Sequence, residues 1–111
     1  MANKLRNEVD AKFGSKTYKL RATMEAIAEI EDVLDMSIPE VVNAIQNGKI
    51  RLHQLRTVFC QGVKASGGTI SDEQFSEGLE QSGLAKLAEY VMKFCLNYAN
   101  GAPTDPEKKE Q

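Results

Sequence analysis

Residues 8–22 read EVDAKFGSKTYKLRA, and polarity alternates on both sides of the central Gly14-Ser15 pair. Val9, Ala11 and Phe13 are separated by Asp10 and Lys12, and Tyr18, Leu20 and Ala22 by Lys19 and Arg21. A period of two places alternate side chains on one face of a strand, and a Gly-Ser pair supplies the backbone angles of a tight turn. The stretch therefore predicts a β-hairpin over about 7–22, with Phe13 and Tyr18 meeting across it. An isolated hairpin is marginal in water, so its apolar face must lie against other elements.

Those elements are helices. Thr23 is placed to cap a helix that turns Ile27, Ile30, Val33 and Leu34 inward and leaves Glu25, Glu29 and Asp32 on another side. SIPE (37–40) has the spacing of a capping box, with Pro39 in the first turn, where a missing amide costs nothing, and Gly48 ends that helix. Leu52, Leu55, Phe59 and Val63 then recur at helical spacing until Gly67-Gly68. Ser71 and Gln74 open a shorter helix closed by Gly83, and a last helix runs from about Leu84 to Ala99. The expected fold is thus α+β and mostly α: an N-terminal hairpin packed on about five short helices over 24–99. The expected core includes Val9, Phe13, Leu20, Ile27, Ile30, Leu55, Phe59 and Val91. Residues 101–111, GAPTDPEKKEQ, combine two prolines and a glycine with almost no apolar content, and are expected to be a disordered tail.

The chain has 111 residues, enough for one core and too few for two ordinary domains, so residues 1–100 are expected to form a single domain. Hydrophobic residues make up 41% and charged residues 27%, and the formal net charge is −2. That balance lacks the basic footprint of a duplex-binding protein, which makes nucleic acid an unlikely partner. The N-terminus has no apolar signal core and no run approaches a membrane span, so a cytoplasmic, membrane-free protein is expected. Cys60 and Cys95 lie outside C-x-x-C spacing and are read as reduced, packed thiols.

Candidate chemistry is sparse. GVKASGGT (62–69) resembles a phosphate-binding loop, but Gly68 stands where the lysine is required and the preceding segment is helical by pattern, so it reads as a helix stop. His53 is the single histidine and has no visible nucleophile or orienting carboxylate. Glu25, Glu29, Glu31, Asp32 and Asp35 match neither a calcium loop nor a Glu-x-x-His site and read as a solvated acidic face. No enzyme, metal or cofactor is expected. Lys49, Arg51, Arg56 and Lys64 make the third helix basic, suiting an acidic protein surface, another copy of the chain, or nucleic acid.

The last helix, LAKLAEYVMKFCLNYA (84–99), carries one narrow polar strip of Lys86, Glu89, Lys93 and Asn97. That leaves an apolar arc of roughly 200°, about twice what a one-sided surface helix needs. Either the helix is central to the bundle, or its margins, Tyr90 and Phe94 on one side and Met92 and Leu96 on the other, are partner-binding.

The order MANKLRNEV, hairpin, YKLRATMEAIAEIEDVL, GKIRLHQLRTVFCQGVKASGGTISDEQ and SGLAKLAEYVMKFCLN resembles a family of small tail proteins of tailed phages and gene transfer agents, over about Met1 to Asn97. The matching features are LR before T-x-E-A-x-A-E-I-E, G-x-I-R-L at the start of the third helix, and GL opening the last. The resemblance implies a non-enzymatic tail assembly chaperone, although the family is also labelled tail tube. Its implied partners are the tape-measure protein and tail-tube subunits, with self-association open, and the apolar face around Tyr90, Met92, Phe94 and Leu96 is the implied binding surface. The alternatives are a structural tail component retained in the particle and, more weakly, a small nucleic-acid-binding regulator.

Overall fold

A computed structural model describes residues 8–100. Two strands, β1 (Glu8–Phe13) and β2 (Lys16–Arg21), are followed by five helices: α1 (Met24–Leu34), α2 (Ile38–Gln46), α3 (Leu52–Ala65), α4 (Asp72–Ser82) and α5 (Leu84–Asn100). This is the α+β arrangement read from the sequence; the tail expected at 101–111 lies outside the described residues.

The strands pair antiparallel, with Val9 opposite Leu20 and Ala11 opposite Tyr18. Gly14 turns the chain at φ 72°, at the first central position of the two-residue connection, as a type II′ turn requires. Its amide donates to Ser82 Oγ at 2.8 Å, fastening the hairpin tip to α4. Phe13 lies opposite Lys16 rather than Tyr18, so the two aromatic rings do not meet directly. Both rest on Phe59 instead, with ring centroids 4.9 and 6.0 Å away.

The helix boundaries follow the predicted signals. Thr23 Oγ1 accepts from the Ala26 amide, and Ser37 with Glu40 and Ser71 with Gln74 form reciprocal capping boxes. Glu31 adds a tertiary cap, its carboxylate accepting from the Ile38 amide at 3.0 Å, so one acidic residue of α1 fixes the start of α2. At the end of α3, Gly67 takes φ 92° while its amide donates to Lys64 O and that of Gly68 to Val63 O, a Schellman motif. The glycine-rich GVKASGGT stretch is accordingly a helix stop, with Gly62 buried inside α3.

All eight expected core residues are buried, together with Ile38, Val41, Val58, Phe75, Leu87 and Phe94. The α5 helix contacts α2, α3, α4 and β1, whereas α1 packs chiefly on α3. That asymmetry corrects two readings. Val33, expected to point inward, is 55% exposed because α1 has a covering neighbour on one side, and Leu52, at the first turn of α3, is 45% exposed.

Candidate interaction surface

The sequence nominated two apolar margins of α5, and the structure separates them. Leu87, Tyr90, Val91, Phe94 and Cys95 face the core. Phe94 is fully buried, packed where α3 comes close at Gly62; a Cβ built there would stand 3.1 Å from the Phe94 ring and from Leu20 Cβ. Tyr90 is 6% exposed and its hydroxyl donates to the Lys12 carbonyl at 3.0 Å, tying α5 to β1. Tyr90 and Phe94 therefore do not form a free partner surface: the wide apolar arc of this helix is consumed largely by its central position.

The second margin remains. Met92 is half-buried and Leu96, one turn on, is 41% exposed; Tyr98 near the helix end and Leu84 at its start are 39% and 55% exposed. Residues four apart on a helix stand one above the other, so Met92 and Leu96 form a short apolar ridge. Its polar boundary is built by Glu89, which bonds Lys93 at 3.3 Å and Lys86 at 3.5 Å. The hydrogen bond from Lys93, aided by the charge of Lys86, holds the Glu89 carboxyl below its usual range. Lys86 also lies over the Tyr90 ring, 5.7 Å from its centroid.

The remaining candidates are scattered. His53 is exposed on α3 and its backbone carbonyl accepts from Thr57 Oγ1. Glu25, Glu29 and Asp32 are exposed along α1, while Glu31 is used as the α2 cap. Arg56 is committed to Asp72 and sits over the Phe75 ring. Both cysteines are free thiols; burial pushes the Cys60 thiol up, and that of Cys95 up to about 12. Among the described residues no cluster of histidine, cysteine and carboxylate side chains could hold a metal, and no helix is long and apolar enough to cross a membrane.

These observations define a small α+β protein whose last helix is buried along one side and leaves an apolar ridge along the other. A protein-family model described as "Phage tail tube protein, GTA-gp10" matches residues 6–95, and the chain belongs to that family. The resemblance drawn from residue order is thereby shown as a small tail family of phages and gene transfer agents. No curated protein and no solved structure matched the chain.

Proposed function

We propose that this tail-family protein acts during assembly as a chaperone, binding the tape-measure protein and helping to recruit tail-tube subunits. The supporting observation is the Met92–Leu96 ridge: Leu96 is 41% exposed and Met92 only half-buried, on the side of α5 away from the core-facing Leu87, Val91 and Phe94. A long client that exposes apolar helical surface before the tube encloses it would be covered by many copies of such a ridge, each contact weak and reversible. No catalytic role is part of the proposal, and the bacterial cytosol is where such binding would occur.

The test is co-purification from cells expressing the neighbouring tail genes. Wild type should recover the tape-measure protein, and Met92→Glu with Leu96→Glu should lose it while keeping the same helical spectrum and melting temperature. Charges at Tyr90 or Phe94 would instead unfold the domain, since both side chains are in the core. Recovery unchanged by the ridge substitutions would refute the assignment of this surface. A second reading is favoured by the family description itself: a structural tail component that stays in the particle. Purified particles separate the two, because a chaperone is absent from them and a structural subunit is present in fixed ratio.

A further inference from the structure

Among the described residues the sheet consists of β1 and β2 alone, so each strand has one edge that the other does not cover. In a hairpin closed by a two-residue turn the pair flanking the turn exchanges hydrogen bonds, and hydrogen-bonded pairs then alternate along the ladder. The register makes Phe13–Lys16, Ala11–Tyr18 and Val9–Leu20 those pairs. The amides and carbonyls of Thr17, Lys19 and Arg21 therefore point out of the β2 edge, and those of Asp10 and Lys12 out of the β1 edge. The Lys12 carbonyl bears this out: it turns away from β2 and accepts from the Tyr90 hydroxyl at 3.0 Å.

The helices treat the two edges differently. β1 contacts α4 and α5, and Tyr90 closes on its edge. β2 packs chiefly on α3, and through its face: Tyr18 rests on Phe59 at 6.0 Å, and a Cβ built at Gly62 would stand 3.1 Å from Leu20 Cβ. Among the described residues no hydrogen bond reaches the outward groups of Thr17, Lys19 and Arg21, and all three residues are exposed. Such an edge is a template for another strand unless its side chains forbid pairing. Here they select the partner. The β2 sequence KTYKLR has three basic side chains and no carboxylate, while the acids of the hairpin, Glu8 and Asp10, are on β1. Like charges directly opposite one another destabilise a strand pair, so this row resists basic strands. It also acts against a second copy of β2, since pairing about Lys19 would set Lys19 against Lys19. A nucleic-acid backbone offers phosphates to the cations but no alternating donors and acceptors to the edge.

We propose that the β2 edge binds an extended, acidic segment of a partner protein, which joins the sheet as a third strand. Its backbone takes up the outward groups of Thr17, Lys19 and Arg21 and supplies affinity, and alternate carboxylates beside Lys19 and Arg21 supply specificity. The residues between those carboxylates turn to the face that α3 covers, and are apolar. The proposal is independent of the chaperone reading, whose ridge is on α5.

Chemical-shift mapping and amide hydrogen exchange by NMR test it. The probe is an end-blocked peptide of about seven residues alternating glutamate and valine, long enough at about 3.3 Å per residue to span β2. Binding should be saturable, should slow exchange of the Thr17, Lys19 and Arg21 amides at least tenfold, and should leave the α5 ridge unshifted. Replacing glutamate by lysine in the peptide, or N-methylating its glutamate amides, should each weaken binding at least tenfold. Thr17→Pro removes an outward amide that no group of the described residues uses, at an edge position where proline is tolerated. That variant should keep the wild-type circular dichroism and lose at least tenfold in affinity; the N-methylated peptide makes the same test on the unaltered protein. The proposal is overturned if no saturable binding appears up to about 1 mM peptide, or if the lysine or N-methylated peptide binds as tightly as the parent. It is overturned equally if folded Thr17→Pro binds as wild type does, or if an oligothymidine of about ten nucleotides protects the same amides more strongly than the peptide.

Discussion

A glycine in mid-helix normally loses about 1 kcal/mol to alanine, so Gly78, inside α4, is a position where Gly→Ala is expected to stabilise on propensity alone. The packing predicts the opposite sign. A Cβ at residue 78 would lie closer than 3.0 Å to three carbons of the Phe13 ring. That ring has little room to withdraw: it is 1% exposed and packed against Phe59 at 4.9 Å and Phe75 at 5.5 Å. Forcing it aside carries the cost of overpacking, about 1–3 kcal/mol, and weakens two aromatic contacts worth about 0.5–1.5 kcal/mol each. Set against the propensity gain, Gly78→Ala should destabilise by roughly 1–3 kcal/mol.

A double-mutant cycle isolates the cause. Phe13→Ala alone should cost about 3–5 kcal/mol as a large core side chain is lost. In that background the clash has gone, so adding Gly78→Ala should stabilise by up to about 1 kcal/mol. Urea unfolding followed by circular dichroism measures all four corners, with a change of about 1 kcal/mol corresponding to roughly 4–8 °C in Tm if the Phe13→Ala background is too unstable for an extrapolation. A Gly78→Ala protein at least as stable as wild type, or a substitution with the same sign in both backgrounds, would refute the account of the α4–hairpin contact.

Three further outcomes follow from named contacts. Tyr90→Phe removes the hydroxyl that bonds the Lys12 carbonyl and should lower unfolding free energy by about 0.5–1.5 kcal/mol without altering the helical spectrum. Ser71→Ala breaks the α4 capping box and should cost about 1 kcal/mol in urea unfolding, and Ser37→Ala should cost α2 a similar amount. The buried Cys95 thiol, raised to about 12, stays protonated in the folded chain while the unfolded thiol ionises near 9.0. Its contribution is therefore fully present below pH 9 and falls as pH climbs from there toward 12, by about 1.4 kcal/mol per unit; Cys95→Ser should flatten that limb of the stability profile, and in mass-spectrometric labelling at neutral pH the partly exposed Cys60 should react before Cys95.

Hairpin, capping boxes and helix stops were legible because each is a local rule in which neighbouring residues satisfy one another's backbone groups: Gly14-Ser15, Ser37 with Glu40, Ser71 with Gln74, Gly67-Gly68. Contacts between distant segments were not. Nothing in the periodicity of α4 marks Gly78 as the seat of Phe13, or Ser82 as acceptor for Gly14, since both meet residues more than sixty positions away. Glu31 looked like one carboxylate among five on an acidic face, and its role as the cap of α2 depends on how α1 and α2 fold back on each other. Val33 and Leu52 were misplaced for a related reason: periodicity identifies an apolar stripe, whereas the width that is buried depends on how many neighbours a helix acquires.

The α5 helix shows the same limit where it bears on function. An arc of roughly 200° says that more apolar surface exists than one flat neighbour can cover, and is equally compatible with a central helix and a binding helix. In this chain α2, α3, α4 and β1 surround the Leu87–Val91–Phe94 side and leave the Met92–Leu96 side only partly covered. Which margin is consumed is set by the Gly62 and Tyr90 contacts, where α3 approaches closely enough to enclose Phe94 and a single hydroxyl reaches across to β1. A partner that uses α5 must therefore bind from the Met92 side. On the proposed chaperone reading, substitutions there should change binding with little effect on folding, whereas substitutions at Tyr90 or Phe94 should change folding first, so that a loss of binding in those variants carries no information about the interface.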